Sequence, residues 1–167
     1  MPEKETAERA EQAEEEGKAP GAQAGEFVRE EMRHIREGKH GARSTKQAIA
    51  IGLSKARRAG VKLPAPKKGA ATERTRESAK RALAAGRRAT KKRPAAKRSR
   101  AIGKALRRES GAAASRPALT RQARTAARKR TAAQRSAAAR KAVRTKGAAG
   151  RSRAARKAAR TRAARGG

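Results

Sequence analysis

The chain has 167 residues, 48 Lys and Arg against 14 acidic residues, a formal net charge of +34, and no Cys, Trp or Tyr. Fifteen side chains in all are Val, Ile, Leu, Met or Phe. Ordering the backbone costs roughly 1–2 kcal/mol per residue and burying a large apolar side chain returns about 1.5–3 kcal/mol, so these groups are too few to order the whole chain. The composition therefore predicts a mostly disordered protein with α-helical segments and no β-sheet.

Without cysteine there is no disulfide framework, thiolate metal site or cysteine nucleophile, which suits a reducing cytoplasm. No apolar run approaches the roughly 18–20 residues of a membrane span, and the acidic opening lacks the apolar stretch of a signal peptide. A cytoplasmic, nucleoid-associated location is expected.

Residues 1–25 are acidic and low in complexity (EKETAERAEQAEEEG, then GKAPGAQAG) and read as a disordered leader. Its seven Glu between positions 3 and 16 are also candidates for folding back on the basic tail. Residues 26–63 read as a small helical hairpin, with helices between about 26 and 60. In EFVREEMRHIREG, Val28, Met32 and Ile35 fall at i, i+4 and i+7, one helical face, and Gly38 is placed to end the helix. After the loop KHGAR, Ser44 and Gln47 form a Ser-x-x-Gln capping signal. Ile49, Leu53 and Ala56 continue one face, and Arg57, Arg58 and Gly60 close the second helix. Phe27, Val28, Met32, Ile35, Ile49 and Leu53 are the expected core. So small a core is marginal alone, so self-association through the hairpin is a candidate.

Residues 64–167 read as a basic low-complexity tail, disordered or helical on binding. Glu73–Ala85 and Ser99–Arg108 are helix-prone, and the segments 117–146 and 151–165 are nearly pure Ala, Arg and Lys. Like charges at i, i+4, such as Arg124 and Arg128 or Arg140 and Arg144, each cost a few tenths of a kcal/mol. Cations on every side leave no face to bury.

The charge is segregated. Residues 1–37 carry eleven Glu and six basic residues, net −5; residues 67–167 carry 35 basic residues and three Glu, net +32. Such a tail binds polyanions by releasing their condensed counterions. Arg outnumbers Lys by 31 to 17, and its planar fork suits bidentate phosphate contacts. The lone aromatic, Phe27, is assigned to the core, so base stacking of the kind single-strand and RNA readers use is disfavoured. The expected function is non-sequence-specific DNA binding of histone-like type, by phosphate neutralisation.

Candidate nucleic-acid-binding residues in and after the hairpin are Lys46, Lys55, Arg57, Arg58, Lys67 and Lys68. The middle of the tail adds Arg87, Arg88, Lys91, Lys92, Arg93, Lys97, Arg98, Arg100, Arg107 and Arg108. Its end adds Arg121, Arg124, Arg128, Lys129, Arg130, Arg140, Lys141, Arg144, Arg151, Arg153, Arg156, Lys157, Arg160, Arg162 and Arg165. Alternatives are an RNA- or ribosome-associated protein and a protein-interaction module with a localising tail; a membrane-surface binder ranks last, for want of an apolar stripe. Residues 91–100 (KKRPAAKRSR) look like a nuclear localisation signal, a weak sign within so basic a tail.

The chain lacks Asp, so nothing of that type can orient a catalytic His, and there is no Gly-rich phosphate loop. No enzyme activity and no cofactor are expected. His34 and His40, with Glu30 and Glu37 nearby, have no third ligand at fixed spacing, so no metal is expected either.

The block from Gly25 to Gly69 (GEFVREEMRHIREGKHGARSTKQAIAIGLSKARRAGVKLPAPKKG) resembles a family of small basic bacterial proteins of unknown function. They share EFVREE…GKHGARSTKQAIAIGLSKARRAG followed by variable basic tails. The resemblance implies a bacterial source and brings no assigned residues. The tail from 67 to 167 is similar in composition to the tails of linker histones and bacterial histone-like proteins, which implies nucleoid binding by analogy.

Overall fold

A computed structural model of the chain describes residues 3–87 and 96–164. Among the described residues seven α-helices follow one another: α1 Lys4–Glu15, α2 Pro20–Arg36, α3 Thr45–Ala59, α4 Glu73–Gly86, α5 Ala96–Arg107, α6 Arg116–Arg128 and α7 Ala132–Ala163. A 3-10 turn, Gly111–Ala114, precedes α6. Among the described residues there is no sheet, and the one extended pairing is an isolated bridge between Lys68 and Ala71. The chain divides into two compact units, residues 1–122 and 123–167, the division falling inside α6.

The first unit is built on the α2–α3 hairpin. Phe27, Met32 and Ile35 are buried on α2; Val28 of α2 and Ile49 and Leu53 of α3 are partly buried and pack against the core clusters. The Ser44 hydroxyl caps α3 by accepting from the Gln47 backbone N–H at 3.2 Å. The Gln47 side-chain oxygen in turn accepts from the Arg43 N–H at 2.8 Å, so the cap closes one residue earlier than in the usual reciprocal box. Gly60 ends α3 at φ +112, a left-handed conformation open to glycine at no steric cost. The two helices touch at Gly52, where a Cβ would lie 2.7 Å from the Val28 Cα.

The expectation of a mostly disordered chain is overturned on both sides of this hairpin. In the supposed leader, α1 packs on α2, burying Thr6, Ala10 and Ala13. Glu3 at its head contacts Arg33, His34 and Lys39 of α2 and the following loop. The His34 hydrogen bond is the main reason its carboxyl is held down from 4.5 to about 2. Among the described residues, Glu14 pairs with Lys62, in the segment after α3, at 3.2 Å. On the other side, α4 packs on α3 through Ala79 and Ala82. The 3-10 turn returns to the hairpin and buries Ala113 and Ala114 beside Met32, Ile35, Ala42 and Ala48, with Leu119 packed against them.

The physical reason is the size of the side chains that form the core. Ala24, Ala48, Ala56 and Ala114 have no exposed surface. Alanine loses no rotamer entropy on burial and lets helices approach closely, so counting large apolar groups undervalues it. Buried, hydrogen-bonded charge links the same helices. Glu30 accepts from the Glu3 backbone N–H at 3.1 Å and from Lys55 at 3.2 Å. Burial alone would raise its carboxyl, but these bonds and one from Thr6 hold it below the usual range.

The second unit holds α7, which buries no residue. Thr131 and Gln134 cap it reciprocally, at 3.2 and 3.0 Å. With alanine and arginine both strong helix formers, propensity and this cap outweigh the few tenths of a kcal/mol that each like-charge pair costs. The helix is kinked at Gly147, whose φ of 61 and ψ of 178 are non-helical.

Candidate nucleic-acid interface

The basic side chains of the chain have three different fates. Some are consumed by the fold. Arg57, a sequence candidate for nucleic-acid contact, is 7 % exposed. Its guanidinium donates to the Leu63 carbonyl at 3.1 Å and the Pro64 carbonyl at 3.1 Å, tying the extended segment after α3 back onto the helix. Burial pushes its pKa down. Lys55 is partly buried between Glu30 and Glu31, at 3.2 and 2.7 Å. Neither is exposed as a nucleic-acid contact requires. Both lie on the side of α3 turned to the rest of the fold, which one strip of sequence does not reveal.

Others form a groove between α3 and α4. Arg58, Arg74, Ser78, Arg81, Ala82 and Ala85 line it. The two buried alanines of α4, Ala79 and Ala82, seat that helix on α3 and turn Arg74, Ser78 and Arg81 outward. Arg58, Arg74 and Arg81 are exposed and none has an ion pair or hydrogen bond among the described residues. The Glu77 carboxylate of the same helix is taken by Lys80 at 2.7 Å, whose hydrogen bond holds it below the usual range. Three guanidinium groups around one polar hydroxyl suit an anion with several oxygens, such as a backbone phosphate. Of these residues only Arg58 is a sequence candidate. Arg74, Ser78 and Arg81 stand at i, i+4 and i+7, a helical face in plain view, but one without the large apolar residues that attract attention.

The third group lies along the helices of the tail. Lys97 and Arg100 on α5, Arg107 and Arg108 at its end, and Arg121, Arg124 and Arg128 on α6 are exposed, as are Lys129 and Arg130 after it. On α7, Arg140, Lys141, Arg144, Arg151, Arg153, Arg156, Lys157, Arg160 and Arg162 are exposed, joined by Arg135 and Lys146, which are not among the sequence candidates. Lys46, Lys67, Lys68 and Arg87 in the first unit are exposed too. Arg88, Lys91, Lys92, Arg93 and Arg165 lie outside the described residues, as does the side chain of Arg98. So does much of the nuclear-localisation-like stretch.

Residues 20–68 match the model of a family of unknown function (DUF6496). The match begins at the first residue of α2, takes in α3 and ends in the segment after it, so α4 to α7 lie beyond it. No curated protein and no solved structure matches the chain. No helix among the described residues is long and apolar enough to cross a membrane.

Proposed function

We propose that the protein binds duplex DNA without sequence specificity, as a histone-like, nucleoid-associated protein of the cytoplasm. The observation that carries this reading is α7. Its 32 residues include eleven Arg and Lys, no acidic residue and no buried one. At 1.5 Å per residue that is one positive charge per roughly 4 Å of helix axis, with nothing on the helix to neutralise it. Duplex DNA presents one negative charge per about 1.7 Å, and pairing the two releases counterions whatever the base sequence. Cations distributed on all sides of α7 suit backbone contact and give no single face with which to read bases. The Arg58, Arg74 and Arg81 groove adds a second phosphate-binding feature in the first unit.

The reading is tested by fluorescence anisotropy of the full chain with three unrelated duplexes of equal length and a structured RNA hairpin. Affinities equal within a few-fold among the duplexes, and tighter than for the hairpin, are expected. A strong preference for the hairpin would assign the protein to RNA. Weak binding to all four would assign its charge to a protein partner.

A further inference from the structure

Near the α2 end of the hairpin loop, Glu31, His34 and His40 bring their donor atoms within 4.8 Å of one another. Glu31 is fully buried, and neither of its carboxylate oxygens accepts an aligned hydrogen bond. The Lys55 ammonium lies 2.7 Å from Oε2, in ion-pair range, while Oε1 faces the Nε2 of His40 at 3.4 Å.

The outer partners of the two imidazoles decide where their protons sit. The Nδ1 of His40 is 3.1 Å from the Gly41 carbonyl oxygen. A carbonyl can only accept, so Nδ1 carries the hydrogen and Nε2 keeps its lone pair. The Nε2 of His34 is 2.8 Å from the ionised Glu3 carboxylate, which likewise only accepts, leaving Nδ1 of His34 with the lone pair. In their neutral forms, then, a lone pair of His40 points at a buried anionic oxygen. Acceptor facing acceptor is repulsive unless a cation lies between them.

Histidines held through the second ring nitrogen by a carboxylate or a backbone carbonyl are the arrangement found around bound metals. Lys55, held on the far oxygen of Glu31, fixes the third donor in the same way. One separation matches a bound ion directly. A tetrahedral ion with bonds of about 2.0–2.1 Å sets its ligand atoms roughly 3.3–3.4 Å apart, against the 3.4 Å between His40 Nε2 and Glu31 Oε1. The two rings lie edge to face with centroids 6.2 Å apart, and binding an ion requires the donor atoms, now within 4.8 Å of one another, to draw closer.

We propose that Glu31, His34 and His40 bind one divalent transition-metal ion of the zinc class. Two imidazole nitrogens and one carboxylate oxygen favour zinc over calcium or magnesium, which take oxygen donors. The fourth position is left to water. The ion clamps the loop after α2 to the helix itself. That loop also donates from Gly41 to the Leu106 carbonyl at 2.9 Å and from Ala42 to the Ser110 carbonyl at 3.2 Å. The clamp therefore steadies the seat of the returning segment.

The test uses the full chain without a histidine tag, stripped with a chelator and titrated at neutral pH with zinc and, separately, with cobalt. One ion per chain, the visible absorption of tetrahedral cobalt and a raised thermal midpoint are expected. His40→Gln and His34→Gln should each weaken zinc binding by roughly tenfold or more with helix content retained. Should a variant fail to fold, the cobalt spectrum of the unaltered chain decides. No uptake, or zinc uptake by the double variant H34Q/H40Q equal to that of the unaltered chain, overturns the proposal.

Discussion

The Thr45 hydroxyl donates to the Ala113 carbonyl oxygen at 2.7 Å, a buried bond between residues 68 positions apart. Arg36 donates to the neighbouring Ala114 carbonyl at 3.0 Å. Together they fasten a segment of apparent low-complexity tail to the first turn of α3 and the end of α2. Removing one partner leaves a buried acceptor unpaired, at a cost of about 1–3 kcal/mol. Thr45→Val, close to it in shape, is expected to lower stability by that amount in urea denaturation, with the slope of the transition unchanged.

Close approach of α2 and α3 depends on Gly52. A methyl group there would stand 2.7 Å from the Val28 Cα and 3.0 Å from the Phe27 carbonyl oxygen, both backbone atoms that cannot rotate aside. Gly52→Ala should destabilise the first unit by roughly 1–3 kcal/mol despite the better helix propensity of alanine. A shift of the denaturation midpoint to lower urea is the expected reading.

How much of this is legible in the sequence follows from which side chains carry the signal. Val28, Met32 and Ile35 announce α2 by their spacing, and Ser44 with Gln47 and Gly60 mark the ends of α3. Ala113 and Ala114 announce nothing, because alanine is equally common on the exposed sides of α6 and α7 and its burial shows only once a partner surface exists. Glu30 and Glu31 look like solvated helix residues until Lys55, on another helix, supplies the compensating charge. His40 joins Glu31 through a loop conformation that sequence spacing does not encode, so spacing points to Glu30 and Glu37 and misses the cluster. The helices of the hairpin are readable; the small-residue core that extends it is not.

Adjacent arginines on α3 should separate stability from binding. Arg57→Leu leaves the Leu63 and Pro64 carbonyls without their donor and should cost about 1–3 kcal/mol, with little effect on DNA affinity below the melting range. The triple change Arg58→Gln, Arg74→Gln, Arg81→Gln should leave stability within about 0.5 kcal/mol, these being exposed and unpaired. It should make the salt dependence of DNA binding shallower, by up to about 0.9 for each phosphate that is no longer neutralised. Parallel melting curves and salt titrations check both.

At Gly147 the backbone of α7 takes φ 61 and ψ 178, a conformation that costs other residues roughly 1–3 kcal/mol. Gly147→Ala should therefore remove the kink and favour one continuous helix. An increase in helical circular dichroism of the full chain is expected; an unchanged spectrum would mean the bend is set elsewhere.

The central claim, that the exposed cations bind DNA through its phosphates, is tested most directly by the salt dependence of affinity. The full chain is titrated with one duplex across a series of salt concentrations, and log affinity is plotted against log salt. A straight line with a slope of about −0.9 for each phosphate neutralised, steep enough to require many phosphates and the same for unrelated duplexes, is the predicted result. A flat line, or a slope that changes with base sequence, would contradict it.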